Sequence, residues 1–118
     1  MLLTILAATV TIAVIPASCF APCNIRVTLK VEPAKDNATV VLELGAPDSE
    51  FYRRSDIEYD AQSARTRYIT YEGIPEGTYT VLATLWTQAK RVAGSAVSRV
   101  RILGENLGLA SYRSPIWR

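Results

Sequence analysis

The chain has 118 residues, enough for one domain, and 49% of them are hydrophobic, so a core of ordinary size can form. Its net charge of +2, with charges of both signs, argues against nucleic-acid binding, which needs Lys and Arg clustered on one face. The sequence contains no histidine, the commonest general base and metal ligand. We therefore expect a protein with no enzymatic activity and no cofactor.

The N-terminal segment has the composition of a secretory leader. The first 25 residues carry no charged side chain, and the 14 residues from Leu2 to Ile15 are apolar apart from three threonines. Pro16 and two small residues follow, as in a signal peptide, and the apolar run is shorter than the ~20 residues of a membrane-spanning helix. We predict a signal peptide over residues 1–21 and a secreted, periplasmic or envelope-attached protein. The alternative is a buried core segment.

Two cysteines, Cys19 and Cys23, lie ahead of the first predicted strand. The small residues Ala17 and Ser18 before Cys19 resemble a bacterial lipobox, in which the cysteine is acylated; the leader then ends before Cys19. A Cys19–Cys23 disulfide, formed in an oxidising compartment, is a competing use of the same thiol. Two cysteines without histidine are too few for a zinc site.

After the leader, apolar and polar residues alternate, which is the pattern of half-buried β-strands. Turns rich in Gly, Pro, Asp and Asn separate the alternating segments. Such short strands at regular spacing predict an all-β fold, a single antiparallel two-sheet sandwich of six or seven strands over residues 22–103, with a tail at 104–118. Strands are predicted at residues 25–31, 39–44, 66–72, 78–86 and 92–103, and one more within residues 51–59, where the pattern is least clear.

One turn carries a family resemblance. The segment Ile74-Pro75-Glu76-Gly77-Thr78-Tyr79-Thr80-Val81 resembles the entry into a core strand of fibronectin type III, immunoglobulin-like and carboxypeptidase regulatory-like sandwich domains. The resemblance implies an immunoglobulin-like fold and a tyrosine corner, in which the Tyr79 ring is buried and its hydroxyl binds a nearby backbone group. It implies no activity, because these folds serve many functions.

An acidic series, Asp56, Glu58 and Asp60, offers oxygen ligands for calcium. Alternate acidic residues are also typical of the solvated face of an edge strand, where they discourage pairing with other chains. Nearby arginines provide ion-pair partners for the same carboxylates. We therefore favour the interpretation of these residues as the solvated face of an edge strand over a calcium site.

The aromatic residues allow two interpretations. Phe51 and Trp86 form part of an exposed platform for sugar or peptide, or they close the ends of the core, which we favour. In the tail, Tyr112 and Trp117 either dock on the sandwich or contact a partner.

Together these features predict a non-catalytic exported β-sandwich, a protein-interaction or structural accessory module of the cell envelope. The alternative is a carbohydrate- or calcium-binding module on the same scaffold. We expect an unknown protein partner, no nucleic acid, and membrane attachment only through a lipid anchor at Cys19.

Overall fold

A computed structural model of the chain describes residues 10–34, 36–59 and 65–104. These residues form eight β-strands, and among them there is no helix long and apolar enough to cross a membrane. The strands are β1 (Val10–Ile15), β2 (Ser18–Phe20), β3 (Cys23–Val31), β4 (Asn37–Gly45), β5 (Arg53–Glu58), β6 (Thr66–Ile74), β7 (Gly77–Thr87) and β8 (Val92–Leu103).

The strands form two sheets. One has three strands in the order β1-β3-β6, and the other has five in the order β2-β8-β7-β4-β5. Neighbouring strands are antiparallel except for β2, which runs parallel to the end of β8. The predicted all-β two-sheet sandwich is confirmed, and the six strands located in the sequence are present as β3 to β8. The count rises to eight because β1 and β2 come from the segment assigned to the leader.

The core lies between the sheets, where the alternating apolar residues of each strand meet. Buried and more exposed residues alternate along most of β3. β4 and β7 each bury one alternating set of apolar residues, as the sequence pattern predicts. Each buried side chain of this size stabilises the fold by about 1.5–3 kcal/mol relative to an exposed one. The fully buried residues include Ile25, Val27, Leu29, Val40, Leu42, Leu44, Ile74, Tyr79, Val81, Leu85, Val100 and Ile102.

Residues 10–20, which fall within the predicted leader, lie in the sandwich as β1 and β2. β1 pairs with β3 along its whole length, and β2 pairs with the last residues of β8. Ile12 and Val14 pack against the core while their neighbours are exposed. Hydropathy alone does not separate a short apolar leader from a strand, and the structure corresponds to the alternative of a core segment. Cleavage near residue 21 is untested and stays a prediction.

The turn between β6 and β7 is held by a buried hydroxyl group. Tyr79 is fully buried, and its hydroxyl donates a hydrogen bond to the carbonyl oxygen of Pro75 at 3.0 Å. The ring also meets Phe51 edge-on, with 6.0 Å between ring centroids. Gly77 has a φ of +153°, and a Cβ atom there would lie 3.1 Å from the Tyr79 ring, so the position requires glycine. The predicted tyrosine corner is confirmed.

We expect Tyr79→Phe to lower the free energy of unfolding by about 1–2 kcal/mol, because the ring still fits while the buried hydrogen bond is lost. Chemical denaturation of both proteins measures the difference. Tyr68→Phe removes a hydroxyl from a side chain that is 62% exposed, and as the matched control it should change stability by less than about 0.5 kcal/mol. Equal effects of the two substitutions would show that the hydroxyl of Tyr79 does not hold the turn.

Candidate functional site

Four of the six large apolar side chains left exposed among the described residues lie on strands at one edge of the sandwich, Ile15 on the outer face of the three-stranded sheet and the others on the five-stranded sheet. Ile15 and Val97 are more than 60% exposed, and Phe20 and Val92 are exposed as well. They lie on β1, β2 and β8, and these strands are neighbours because β2 pairs with β8 while β1 packs against β8. We call the surface formed by β1, β2 and residues 92–98 of β8 the uncharged flank.

The uncharged flank takes its name from its sequence. Residues 10–25 contain no charged side chain, and neither do residues 92–98. The opposite side, formed by β5 and β6, carries charged residues on both strands: Arg53, Arg54, Asp56, Glu58, Arg67 and Glu72. Proteins usually protect sheet edges with charge, so the uncharged flank lacks a common barrier to contact with another chain.

The β5–β6 side is closed by polar contacts between the two sheets. The hydroxyl groups of Tyr71 and Ser55 lie 2.9 Å apart and share a hydrogen bond. Burial raises the pKa of Tyr71, while its hydrogen bond with Ser55 opposes that shift. Arg67 covers the ring of Tyr59, with its guanidinium carbon 5.0 Å from the ring centroid. This side is therefore charged and joined by polar contacts, in contrast to the uncharged flank, although the buried hydroxyl of Tyr59 has no hydrogen-bond partner among the described residues.

Most of the outer edge of β8 has no strand beside it in the described part of the chain. β7 pairs with β8 on one side, whereas β2 pairs on the other side only at Arg101–Leu103. The backbone N–H of Arg101 donates to the carbonyl oxygen of Ala17 at 3.0 Å, so the odd-numbered residues here direct their backbone groups toward the β2 side. The backbone groups of Ser95, Val97 and Arg99 consequently face an open edge.

The two cysteines form a disulfide that joins the two sheets. Cys19 lies in β2 of the five-stranded sheet, and Cys23 begins β3 of the three-stranded sheet. Cys23 is buried, and Cys19 packs against the core. Of the two uses of Cys19 considered from the sequence, the structure contains the disulfide. Acylation of Cys19 is untested and stays a prediction.

A shallow cleft lies on the outer face of the five-stranded sheet. Trp86 is paired with Thr39, and both side chains point away from the core because their neighbours Leu85 and Val40 point into it. The cleft has a volume of about 380 Å³. It is lined by Trp86 together with Thr39, Val41, Arg54, Asp56, Gln88 and Lys90.

The two aromatic residues considered together in the sequence have different positions. Phe51 packs against the core, as we favoured. Placing Trp86 at the end of the core was wrong, because it lies on the outer face of β7, which no third layer covers within the described residues. Alternation along β7 puts Leu82 and Trp86 on the same face of the strand. It does not show whether a further layer covers that face.

The acidic residues of β5 lie on the same outer face. Asp56 forms an ion pair with Arg54, with 2.8 Å between Oδ1 and Nε, and this hydrogen bond lowers the pKa of Asp56. Glu58 is exposed beside Thr39, and Asp60 lies outside the described residues. Among described residues, no three acidic, cysteine or histidine side chains gather as a metal site. The calcium site is untested and stays a prediction.

The tail residues Tyr112 and Trp117 lie outside the residues that the structure describes, and their contact with a partner stays a prediction. The uncharged flank was not identified from the sequence. Residues 92–98 lack charge in the sequence, but only the tertiary structure shows that β8 lies beside the equally uncharged β1.

No family model and no curated protein matches the sequence. Solved structures do resemble the fold. The fibronectin(III)-like modules of Clostridium thermocellum CbhA superpose with a TM-score of 0.58 at 8% identity, covering 82% of this chain and 99% of that one. A superoxide reductase (neelaredoxin) from Ignicoccus hospitalis also gives 0.58, at 14% identity, covering 82% of this chain and 80% of that one.

These similarities establish the architecture. The chain is an immunoglobulin-like or fibronectin type III-like β-sandwich module, as the turn at Gly77 and Tyr79 implied. Identities this low show the fold alone. The same scaffold occurs both in a superoxide reductase and in fibronectin(III)-like modules, so it does not indicate one function. Function must therefore be argued from the surfaces of this chain.

We expect the protein purified from its own host to contain both half-cystines in one disulfide, because both sulfur atoms lie at the junction of the sheets. Intact mass spectrometry before and after reduction should differ by the mass of two hydrogen atoms. An acyl group on Cys19 would contradict this expectation, and a mature chain that begins near residue 22 would instead confirm the leader predicted from the sequence. The same measurement locates the end of any leader.

Proposed function

We propose that this chain is a non-catalytic, exported β-sandwich module that acts through protein–protein contact on its uncharged flank. The observation that carries the proposal is the presence of exposed apolar side chains on β1, on β2 and on the first part of β8, residues 92–98, none of which carries a charge. Val97 is 64% exposed and Ile15 61% exposed, on neighbouring strands. Several exposed apolar side chains on neighbouring uncharged segments of a small domain indicate a candidate interaction site.

The absence of catalysis is supported by the chemistry of the side chains. The sequence has no histidine, and its only two cysteines are joined in a disulfide. The titrating groups with shifted pKa values lie in structural contacts, such as Asp56 with Arg54 and Tyr52 with Glu43, whose hydrogen bond raises the pKa of Tyr52. None of these pairs combines a nucleophile with a general base.

Export is supported by the disulfide between Cys19 and Cys23. Disulfides persist in the periplasm and outside the cell, and reducing compartments keep thiols free. This support requires that any leader end before Cys19, since cleavage after residue 21 would remove one half of the disulfide. An oxidising compartment outside the cytoplasm agrees with the adhesive or accessory function proposed here.

We expect a photoreactive amino acid at position 97 to crosslink to protein in the native extracytoplasmic fraction. The same amino acid at position 68 provides the control, because Tyr68 is equally exposed on the other sheet. Crosslinking at 97 and not at 68 supports contact through the uncharged flank. Equal labelling at both positions, or none at 97, would refute the proposal.

A second candidate function, glycan binding, is supported by the cleft at Trp86. An indole ring flanked by Gln88, Asp56 and Lys90 combines an apolar surface with hydrogen-bonding groups. Sugar rings have apolar C–H faces and peripheral hydroxyl groups, which this arrangement complements. The cleft is open and shallow, and Asp56 already binds Arg54, so we rank this function below protein contact.

If the cleft binds glycan, Trp86→Ala should weaken retention in affinity electrophoresis through soluble polysaccharide at least about tenfold, equivalent to 1.4 kcal/mol. Tyr68→Ala removes an exposed aromatic ring elsewhere and should leave retention unchanged. A wild-type protein that no polysaccharide retards would remove this candidate. A melting temperature unchanged by calcium would remove the calcium alternative as well.

A further inference from the structure

We propose that the cleft at Trp86 binds an acidic sugar, with the indole ring against the sugar ring and the ammonium group of Lys90 on the sugar carboxylate. The inference rests on glycan binding, the second candidate function above, and it names the class of glycan. Its basis is the charge of the cleft lining together with the backbone conformation of Lys90.

The lining of the cleft leaves a positive charge without a partner. The charged residues in it are Arg54, Asp56 and Lys90. Arg54 forms an ion pair with Asp56, with 2.8 Å between Nε and Oδ1, so these two charges compensate each other. Lys90 has no ion-pair partner among the described residues. An anionic ligand in the cleft therefore meets a cation that no described carboxylate neutralises.

Two further carboxylates lie near this end of the sheet. Glu58 lies beside Thr39 in the pairing of β5 with β4, but it does not line the cleft. Asp36 precedes β4 and lines a neighbouring cleft, together with Arg91. Neither carboxylate therefore belongs to the surface that a ligand on Trp86 would contact.

Lys90 has a backbone conformation that glycine and asparagine normally occupy. Its φ is +65°, the only positive φ of a residue other than glycine in the described part of the chain. A lysine in this left-handed region is strained, because its Cβ crowds the following carbonyl oxygen. Side chains held in such conformations are frequent at ligand-binding positions. A function for the ammonium group accounts for lysine where glycine would fit without strain.

Hydrogen bonds fix the turn that carries Lys90. Its N–H donates to the carbonyl oxygen of Thr87 at 2.9 Å, and the N–H of Arg91 donates to the hydroxyl oxygen of Thr87 at 3.2 Å. The N–H of Gln88 donates to the carbonyl oxygen of Asp36 at 2.8 Å, which joins the turn to the start of β4. The base of the Lys90 side chain is therefore held beside the cleft before a ligand arrives.

A sugar acid matches these groups better than a neutral sugar or an acidic peptide. Its ring has an apolar C–H face for the half-buried indole of Trp86. Its hydroxyl groups complement the side chains of Thr39 and Gln88, and its carboxylate complements Lys90. A neutral sugar leaves Lys90 without a partner, and an acidic peptide side chain supplies the carboxylate without the ring.

Affinity electrophoresis of the full chain through polygalacturonate and alginate, and through their methyl esters, tests the inference. Each acid and its ester share one backbone and differ in charge. We expect the acids to retard the protein more strongly than the esters, and we expect added salt to reduce that difference. Polyglutamate, which has carboxylates and no sugar ring, should not retard the protein.

Lys90→Gly separates the charge from the fold. Glycine accepts the backbone conformation, so the variant should melt at or above the temperature of the wild type, while its apparent dissociation constant for the acid polymers rises about fivefold or more. Lys90→Arg keeps the charge and should bind as the wild type does. Lys30→Gln, the control, removes a positive charge from an exposed position on β3 and should leave retardation unchanged.

The outcomes separate the class of sugar from glycan binding itself. Equal retardation by the acids and their esters overturns the inference and leaves glycan binding in place. Retardation by polyglutamate, or an equal loss from Lys30→Gln, also overturns the inference, because charge alone then explains the binding. A wild-type protein that none of these sugar polymers retards rejects the acidic sugar together with the glycan function on which it rests.

Discussion

The hydroxyl group of Tyr79 sets the main constraint on this sandwich. A phenol buried in an apolar core needs a hydrogen-bond partner, and the β6–β7 turn folds back over the start of β7 so that the carbonyl oxygen of Pro75 accepts this hydrogen bond. That turn brings Gly77 against the ring, where no other residue fits without strain. Phe51 then packs edge-on from the β4–β5 connection. One buried polar atom thus joins a turn, a loop and the central strand of the larger sheet.

The two sides of the sandwich differ in the contacts that close the core. The β5–β6 side is closed by polar contacts and carries charge, whereas the β1–β8 side is closed by a disulfide and small or apolar residues. Charged residues therefore protect the β5–β6 side from pairing with other chains, and the β1–β8 side lacks most of this protection. Contact with another chain is expected where that protection is missing, because both apolar side chains and backbone groups are available there.

Six strands and their buried faces were predictable, since alternation and turn residues give the same answer over residues 25–103. β1 and β2 were not, because an uncharged apolar run has the same composition in a strand and in a leader. Trp86 was wrongly assigned to the end of the core, because no local pattern shows that its face of β7 lacks a covering layer. The uncharged flank combines segments more than 70 residues apart in the sequence, and only tertiary pairing brings β2 beside β8.

The parallel pairing of β2 with β8 has a mechanical consequence. Because the two strands run in the same direction, forces that pull the N-terminal end backward and the C-terminal end forward slide them along each other. The hydrogen bonds from Arg101 to Ala17 and from Ala21 to Leu103 are then loaded together, in shear, and they do not open one at a time. The Cys19–Cys23 bond fastens the same short strand to the other sheet. A module of this kind resists tension along the chain more strongly than its short first strands suggest.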